Sequence, residues 1–224
     1  MRVIITGSTG MVGEGVLLEC LQSPAVEHIL LLNRRVGSYH GPKITEVSHG
    51  DLHNLAPVED QLRGYDACFF CAGISSVGIS QADYERTTYD LTLAVAHTLV
   101  RLNPHMVFIY VSGAGTDGTG TSRLHWARVK GRTENAVLAL PFRAAYAFRP
   151  GALQATAGQR NVPKIYRYLA WLYPVVRGLA PGRACTLREV GQAMLKAVQT
   201  GYPQPVLEVA DMVRLARAET PETA

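Results

Sequence analysis

Hydrophobic and polar positions along this chain follow two periods. Short apolar, β-branched runs recur, and several are followed by stretches whose apolar positions lie three and four residues apart. That is the sequence form of parallel strand–helix–strand units. Strands are expected at "RVIIT", "HILLLN", "ITEVS", "DACFFCA", "MVFIYVS" and "AAYAFRP". Helices are expected from Val12 to Gln22, around Val58 to Leu62, from Ala82 to Leu102 and from Ser122 to Leu140. The pattern predicts an α/β fold of the Rossmann type: a doubly wound, mainly parallel sheet with helices on both faces, whose ligands bind at the carboxyl ends of the strands.

Beyond Gly151 the alternation weakens. Asn161 to Gly182 reads as an aromatic-rich helical cover on the substrate side, followed by a helix from Leu187 to Gln199 and a short run "PVLEVA". The terminal "AETPETA" reads as a frayed end. No repeat or low-complexity linker interrupts the chain, so residues 1–224 are expected to form one domain, with a dinucleotide-binding core over 1–150 and a substrate-side part over 151–224.

Composition changes this picture little. The chain has 224 residues, 47% hydrophobic and 18% charged, enough to bury a sizeable core. Its net charge of +4 is spread along the sequence, without the basic stripe that nucleic-acid binding needs. "MRVIITG" lacks the pattern of a secretory signal, and a cytoplasmic location is the resulting expectation. "YLAWLYPVVRGLA" is interrupted by Pro174 and Arg177 and is too short to span a bilayer. It either lies on a membrane or covers a pocket.

No metal site is expected. Cys68 and Cys71 form a CxxC in a β-like run, where side chains three apart point to opposite faces, and no second Cys/His pair has zinc spacing. His49 and His53 have the spacing of a helical metal pair, but Gly50 lies between them after a β-like stretch.

"IITGSTGMVGEG" places Gly7, Gly10 and Gly13 between the first strand and the first helix. In that context the glycines allow a tight turn, close approach of a pyrophosphate and close helix–strand packing, with backbone N–H groups facing the phosphates. The second strand ends "LLNRR", so Arg34 and Arg35 stand where an NAD site carries an acid for the ribose 2′-OH. Guanidinium groups suit a 2′-phosphate, which favours NADP(H). The candidate cofactor residues are Gly7, Thr9, Gly10, Met11, Val12 and Gly13; Asn33, Arg34 and Arg35; Asp51 and Leu52 at the adenine edge; and Cys71, Ala72 and Gly73 near the adenine-side ribose.

With these motifs, "VSG" at Val111 to Gly113, "VKGRTE" at Val129 to Glu134 and "RPG" at Arg149 to Gly151, the chain resembles the atypical short-chain dehydrogenase/reductase superfamily. Within it, the chain is most similar to the Tat-interacting-protein-30 group and to bacterial relatives of NAD-dependent epimerases and dehydratases. The resemblance implies a serine at the end of the fifth strand, matching Ser112, and a Tyr-x-x-x-Lys pair on the next helix. Lys130 matches the lysine and is expected on the nicotinamide ribose, with Pro150 and Gly151 added to the cofactor set. Trp126 occupies the tyrosine position. Its indole N–H is a donor only and does not exchange protons in the accessible range.

Ser112, Trp126 and Lys130 are therefore the candidate catalytic set, with Ser112 either orienting a carbonyl or serving structure alone. His125 is about 100° around the helix from Trp126 and is no simple substitute. The leading reading is an NADP(H)-dependent oxidoreductase whose proton comes from water or a non-standard group, acting on an unidentified small molecule. The alternative is a non-catalytic NADP(H)-binding sensor with a regulatory partner. A nucleotide-sugar epimerase or dehydratase ranks last, because that chemistry normally uses the missing tyrosine.

Overall fold

The computed structural model describes residues 1–218, apart from the side chains of residues 167 and 169. Of the expected frayed end only Ala218 is covered; residues 219–224 lie outside the described residues. The first half runs β1 (Arg2–Thr6), α1 (Met11–Gln22), β2 (His28–Asn33), β3 (Ile44–Ser48) and β4 (Ala67–Phe70). Next come α2 (Gln81–Glu85), a π-helical turn (Arg86–Asp90), α3 (Leu91–Leu102), β5 (Val107–Val111), α4 (His125–Leu138) and β6 (Ala144–Phe148). The last part holds β7 (Ala152–Gln154), α5 (Lys164–Leu169), α6 (Tyr173–Leu179), β8 (Ala184–Thr186), α7 (Leu187–Thr200), β9 (Val206–Leu207) and α8 (Val209–Arg217).

Seven strands form one parallel sheet in the order β3-β2-β1-β4-β5-β6-β9. The order reverses beside β1, which opens a crevice at the carboxyl ends of β1 and β4. Successive side chains of a strand point to opposite faces, so Val3 and Ile5 join a core with α1, α7 and α8, whereas Ile4 joins one with α3 and α4. Each six-strand expectation is met to within a residue or two at the ends. Two features escaped the sequence pattern. β7 and β8 pair as a separate two-stranded parallel sheet, and "PVLEVA" is a two-residue strand running into α8.

Register aligns the strand ends. Thr6 pairs with Phe70, Phe70 with Tyr110, and Tyr110 with Ala147. Gly7, Cys71, Val111 and Phe148 thus follow in one row, and the loops beyond them share one edge of the sheet. α4 is held close to the β5 loop at Gly131, where a Cβ would lie 1.8 Å from the Asp117 carbonyl oxygen. Gly131→Ala must therefore push helix and loop apart. Overpacking of this kind costs on the order of 1–3 kcal/mol, and thermal unfolding should show Tm lowered by several degrees; an unchanged Tm would show that the loop yields freely.

Candidate functional site

Two residues of the glycine turn are demanded by geometry. Gly7 has φ +69°, and a Cβ there would lie 2.7 Å from the Ala72 amide nitrogen; a Cβ at Gly13 would lie 2.2 Å from the Gly7 carbonyl oxygen. Strand, turn and helix therefore come together at backbone distance. Gly10 caps α1 without a side-chain hydrogen bond, so the first N–H groups of the helix are left for an anion.

A cleft of about 540 Å³ opens in front of this turn, lined by Gly7, Thr9, Gly10, Leu32, Asn33, Arg34, Arg35, Gly50, Leu52, Cys71, Ala72 and Gly73. It gathers most of the expected cofactor residues. The glycines form a cradle that side chains would fill, the open helix end suits a pyrophosphate, and Arg34 and Arg35 are exposed at the rim, without an ion pair among the described residues. The residues present thus fit a dinucleotide.

Other members of the set stand back from the cleft. Met11 and Val12 belong to the first turn of α1, and Met11 is buried. Asn33, although it lines the cleft, is buried and structural: its amide donates to Ser8 Oγ (2.8 Å) and Glu46 Oε1 (2.9 Å). Asp51 is exposed and accepts from the His53 amide (2.9 Å), while His49 bonds the Asn54 carbonyl. Pro150 and Gly151 lie beside the β5 loop, since the Ala114 amide donates to the Pro150 carbonyl (2.9 Å). Burial pushes the Cys71 thiol up to about 12 and raises Cys68 further, which makes both weak metal ligands and poor nucleophiles.

At the end of β5 the three candidate catalytic residues separate in role. The Ser112 hydroxyl is buried and shares its hydrogen between Glu134 and the Phe148 carbonyl, so it is part of an internal network. Glu134 is itself buried and receives Arg149 through two bonds, Nε at 3.0 Å and Nη2 at 2.5 Å, while Arg149 Nη1 reaches Glu208 at 3.0 Å. The hydrogen bonds that it donates to Glu134 hold the Arg149 guanidinium far above its ordinary range. Lys130 donates to the Ser112 carbonyl, and burial pulls its ammonium down to about 8 against the opposing pull of Glu134.

Trp126 is half-buried, with its indole 3.5 Å from where a Cβ on Gly115 would stand. His125 packs edge-on against Tyr84 and lines a different, polar cleft with Glu85, Arg128 and Arg132. Asp117 accepts from Thr119 and the Ser122 amide, and these bonds hold its carboxyl at about 2. It is ionised at neutral pH and cannot serve there as an acid.

The glutamates are what sequence reading missed. Glu14 is a buried carboxylate on α1 that accepts from Tyr39 Oη (2.6 Å), the Arg160 amide (2.7 Å) and the Asn161 amide (2.7 Å). Gln159 adds a bond to the Met11 carbonyl at 2.7 Å. A lone acid in the apolar run "MVGEGVLL" was the available signal. These bonds seat the C-terminal part against the glycine turn and form a cavity of about 650 Å³ from Ala152, Leu153, Val162, Tyr166, Leu172, Tyr173 and Val176, with Gln154, Gln159 and Arg160 among its polar lining. The segment expected as a cover forms α5 and α6: Tyr166, itself 43% exposed, and Tyr173 line the cavity, whereas Tyr168 and Trp171 are exposed and do not line it. Among the described residues no helix is long and apolar enough to cross a membrane.

A family model described as the NAD dependent epimerase/dehydratase family matches residues 3–146. The chain belongs to this family. Similar curated proteins include "Protein fmp52-2, mitochondrial" of Aspergillus oryzae, 25% identical and covering 96% of each chain, and "Protein fmp52, mitochondrial" of Emericella nidulans, 30% identical over 71% of this chain and 69% of that one. The mitochondrial names of these relatives overturn the cytoplasmic expectation drawn from the N-terminal residues.

Solved structures of the same fold include the Bordetella bronchiseptica enzyme WbmF in complex with NAD+ (TM-score 0.67, 14% identity, 96% of this chain and 76% of that one). A Burkholderia thailandensis oxidoreductase of the short chain dehydrogenase/reductase family follows (TM-score 0.66, 18% identity, 88% and 85%). The epimerase/dehydratase fold of this chain is thus also that of short-chain dehydrogenases.

The buried Glu134–Arg149 pair yields a stability prediction. Breaking such a pair by neutralising one partner costs on the order of 3–5 kcal/mol. Glu134→Gln should lower the urea midpoint accordingly, and a variant as stable as wild type would mean that Arg149 finds compensation at Glu208.

Proposed function

We propose that this family member is an NADP(H)-dependent oxidoreductase that reduces carbonyl compounds, with Lys130 as its proton donor. The observation that carries the reading is the placement of a half-buried ammonium at the end of β5, on the sheet edge that also bears an intact glycine cradle. The resemblance to the Tat-interacting-protein-30 group read from the sequence motifs points to the same assignment, and the relatives' names support a mitochondrial setting.

Bound NADPH would supply the hydride. The protein's part is to orient substrate and hold a proton. An ammonium carries three donors, and the Ser112 carbonyl takes one, leaving two for an incoming oxygen. As the carbonyl carbon accepts the hydride with its electron pair, the C=O π bond breaks onto oxygen, and Lys130 protonates that oxygen. The neutral amine then regains a proton from water. Trp126 contributes a wall over Gly115, and neither His125, in a separate cleft, nor the ionised Asp117 offers an alternative acid. Epimerase chemistry is not supported, because the tyrosine position holds an indole. Nucleotide binding without turnover would instead favour the sensor reading.

Cofactor preference rests on Arg34 and Arg35. A lost charged hydrogen bond costs on the order of 1.5–3 kcal/mol, so calorimetric titration of Arg34→Ala should show weakened NADPH binding and little change for NADH. Equal affinity of the wild type for both nucleotides would remove the preference.

The pH dependence follows from Lys130. Its donor form is the protonated one, present below about 8 and lost as pH rises through that value, so carbonyl reduction should decline on the alkaline side. Lys130→Met should remove this limb and lower turnover by roughly 10²–10⁴. Trp126→Tyr, which sets a phenol at i−4 from Lys130, should raise turnover with at least one carbonyl. A wild-type profile flat from pH 6 to 10 would exclude Lys130 as donor.

A further inference from the structure

The cavity under α5 and α6, lined wholly by residues between Ala152 and Val176, is largely hydrocarbon. Its wall is built from the hydrocarbon of Leu153, Val162, Leu172 and Val176 and the rings of Tyr166 and Tyr173. Some of the polar groups that reach it are held by the protein itself, whereas the Gln154 amide, the Tyr166 hydroxyl and the Arg160 guanidinium make no hydrogen bond among the described residues. Gln159 donates to the Met11 carbonyl and accepts from the Thr156 amide (2.6 Å), and the Tyr173 hydroxyl accepts from Arg177 (3.2 Å). The Arg160 guanidinium lies over the Tyr39 ring at 5.2 Å. A diphosphate placed here would meet one cation, Arg160, against its two phosphate charges and a wall that is mostly hydrocarbon, so part of its lost hydration would go unreplaced. An apolar body would be released from water at no such cost.

The cavity does not include Lys130, but it follows directly on the end of β6, where the Pro150 carbonyl accepts from the Ala114 amide of the β5 loop. Its floor includes Ala152 to Gln154, directly after Pro150 and Gly151, and Gln159 joins it to the first residue of α1. Both ends of the cover are fastened. The Arg160 and Asn161 amides are tied to Glu14, and Arg177 pairs with Glu189 at 2.6 Å at the start of α7. Its volume, about 650 Å³, lies within the range of small-molecule sites.

We infer that this cavity takes the hydrocarbon part of an uncharged, apolar carbonyl compound, such as a medium-chain ketone, and that sugar nucleotides are not its ligands. The assignment rests on the carbonyl-reductase reading above but is read out by binding, so the two can fail separately. The full-length protein, alone and saturated with NADP+ to prevent turnover, is titrated calorimetrically with 2-decanone, with glyceraldehyde and with UDP-glucose.

Only 2-decanone should bind. Val176→Asp, which adds a carboxylate to the wall, should weaken it at least tenfold while NADP+ affinity stays within twofold of wild type. Should Val176→Asp fail to fold, Leu172→Ser serves in its place, with a smaller loss expected. Tighter binding of UDP-glucose or glyceraldehyde than of 2-decanone, or an affinity for 2-decanone indifferent to both variants, would overturn the inference. Binding of 2-decanone without NADPH oxidation at any pH would leave the cavity assignment standing and overturn the reductase reading instead.

Discussion

The buried carboxylate of Glu134 is the interaction on which the candidate chemistry depends. It sits on α4 one turn beyond Lys130, accepts from the Ser112 hydroxyl at the end of β5, and takes a two-bond grip from Arg149 at the end of β6. A carboxyl group so deeply buried is tolerated because each of its oxygens is bonded and a guanidinium lies against it. The arrangement fixes α4 relative to two strand ends, and with it the height of Lys130 above the sheet edge. It also explains why Ser112, read from sequence as a carbonyl-orienting hydroxyl or a structural one, is drawn inward: Glu134 is the stronger acceptor.

Glu14 performs the corresponding task at the nucleotide end. Its two oxygens collect Tyr39 from the loop after β2 and the Arg160 and Asn161 amides from the C-terminal part. Segments separated by more than a hundred residues of chain are thereby seated on the first turn of α1. The cradle for phosphates and the wall of the apolar cavity consequently share one anchor, so what is bound at one should be felt at the other through few intervening contacts. The surface of the cover is less constrained, for Tyr168 and Trp171 face outward, away from the cavity.

Membership of the epimerase/dehydratase family, matched over residues 3–146, and the likeness to an NAD-bound enzyme establish a shared fold. They say less about chemistry, because function resides in the groups at the strand ends. Here the position proposed for the tyrosine carries Trp126, the lysine is depressed by burial, and the cavity proposed for substrate is lined largely by hydrocarbon. Each departure is local, and each changes what the same scaffold can do.

The sequence by itself determined the parallel α/β order, the strand positions and the glycine turn, because these depend on local periodicity and on short-range backbone geometry. "RVIIT" and "GSTGMVG" could adopt few other forms. It also determined that Trp126 and Lys130 share a helix face, since four residues make about one turn. What it left undecided concerned partners remote in the chain. Only tertiary structure could pair Glu134 with Arg149, bring Gln159 to Met11, send His125 into a separate cleft, and divide the aromatics of α5 and α6 between cavity and solvent. The π-helical turn, the small β7–β8 sheet and α8 belong to the same class. Their residues carry weak local signals, and their conformation is set by the surfaces they meet after the sheet has formed, which is why no reading of neighbours along the chain could supply it.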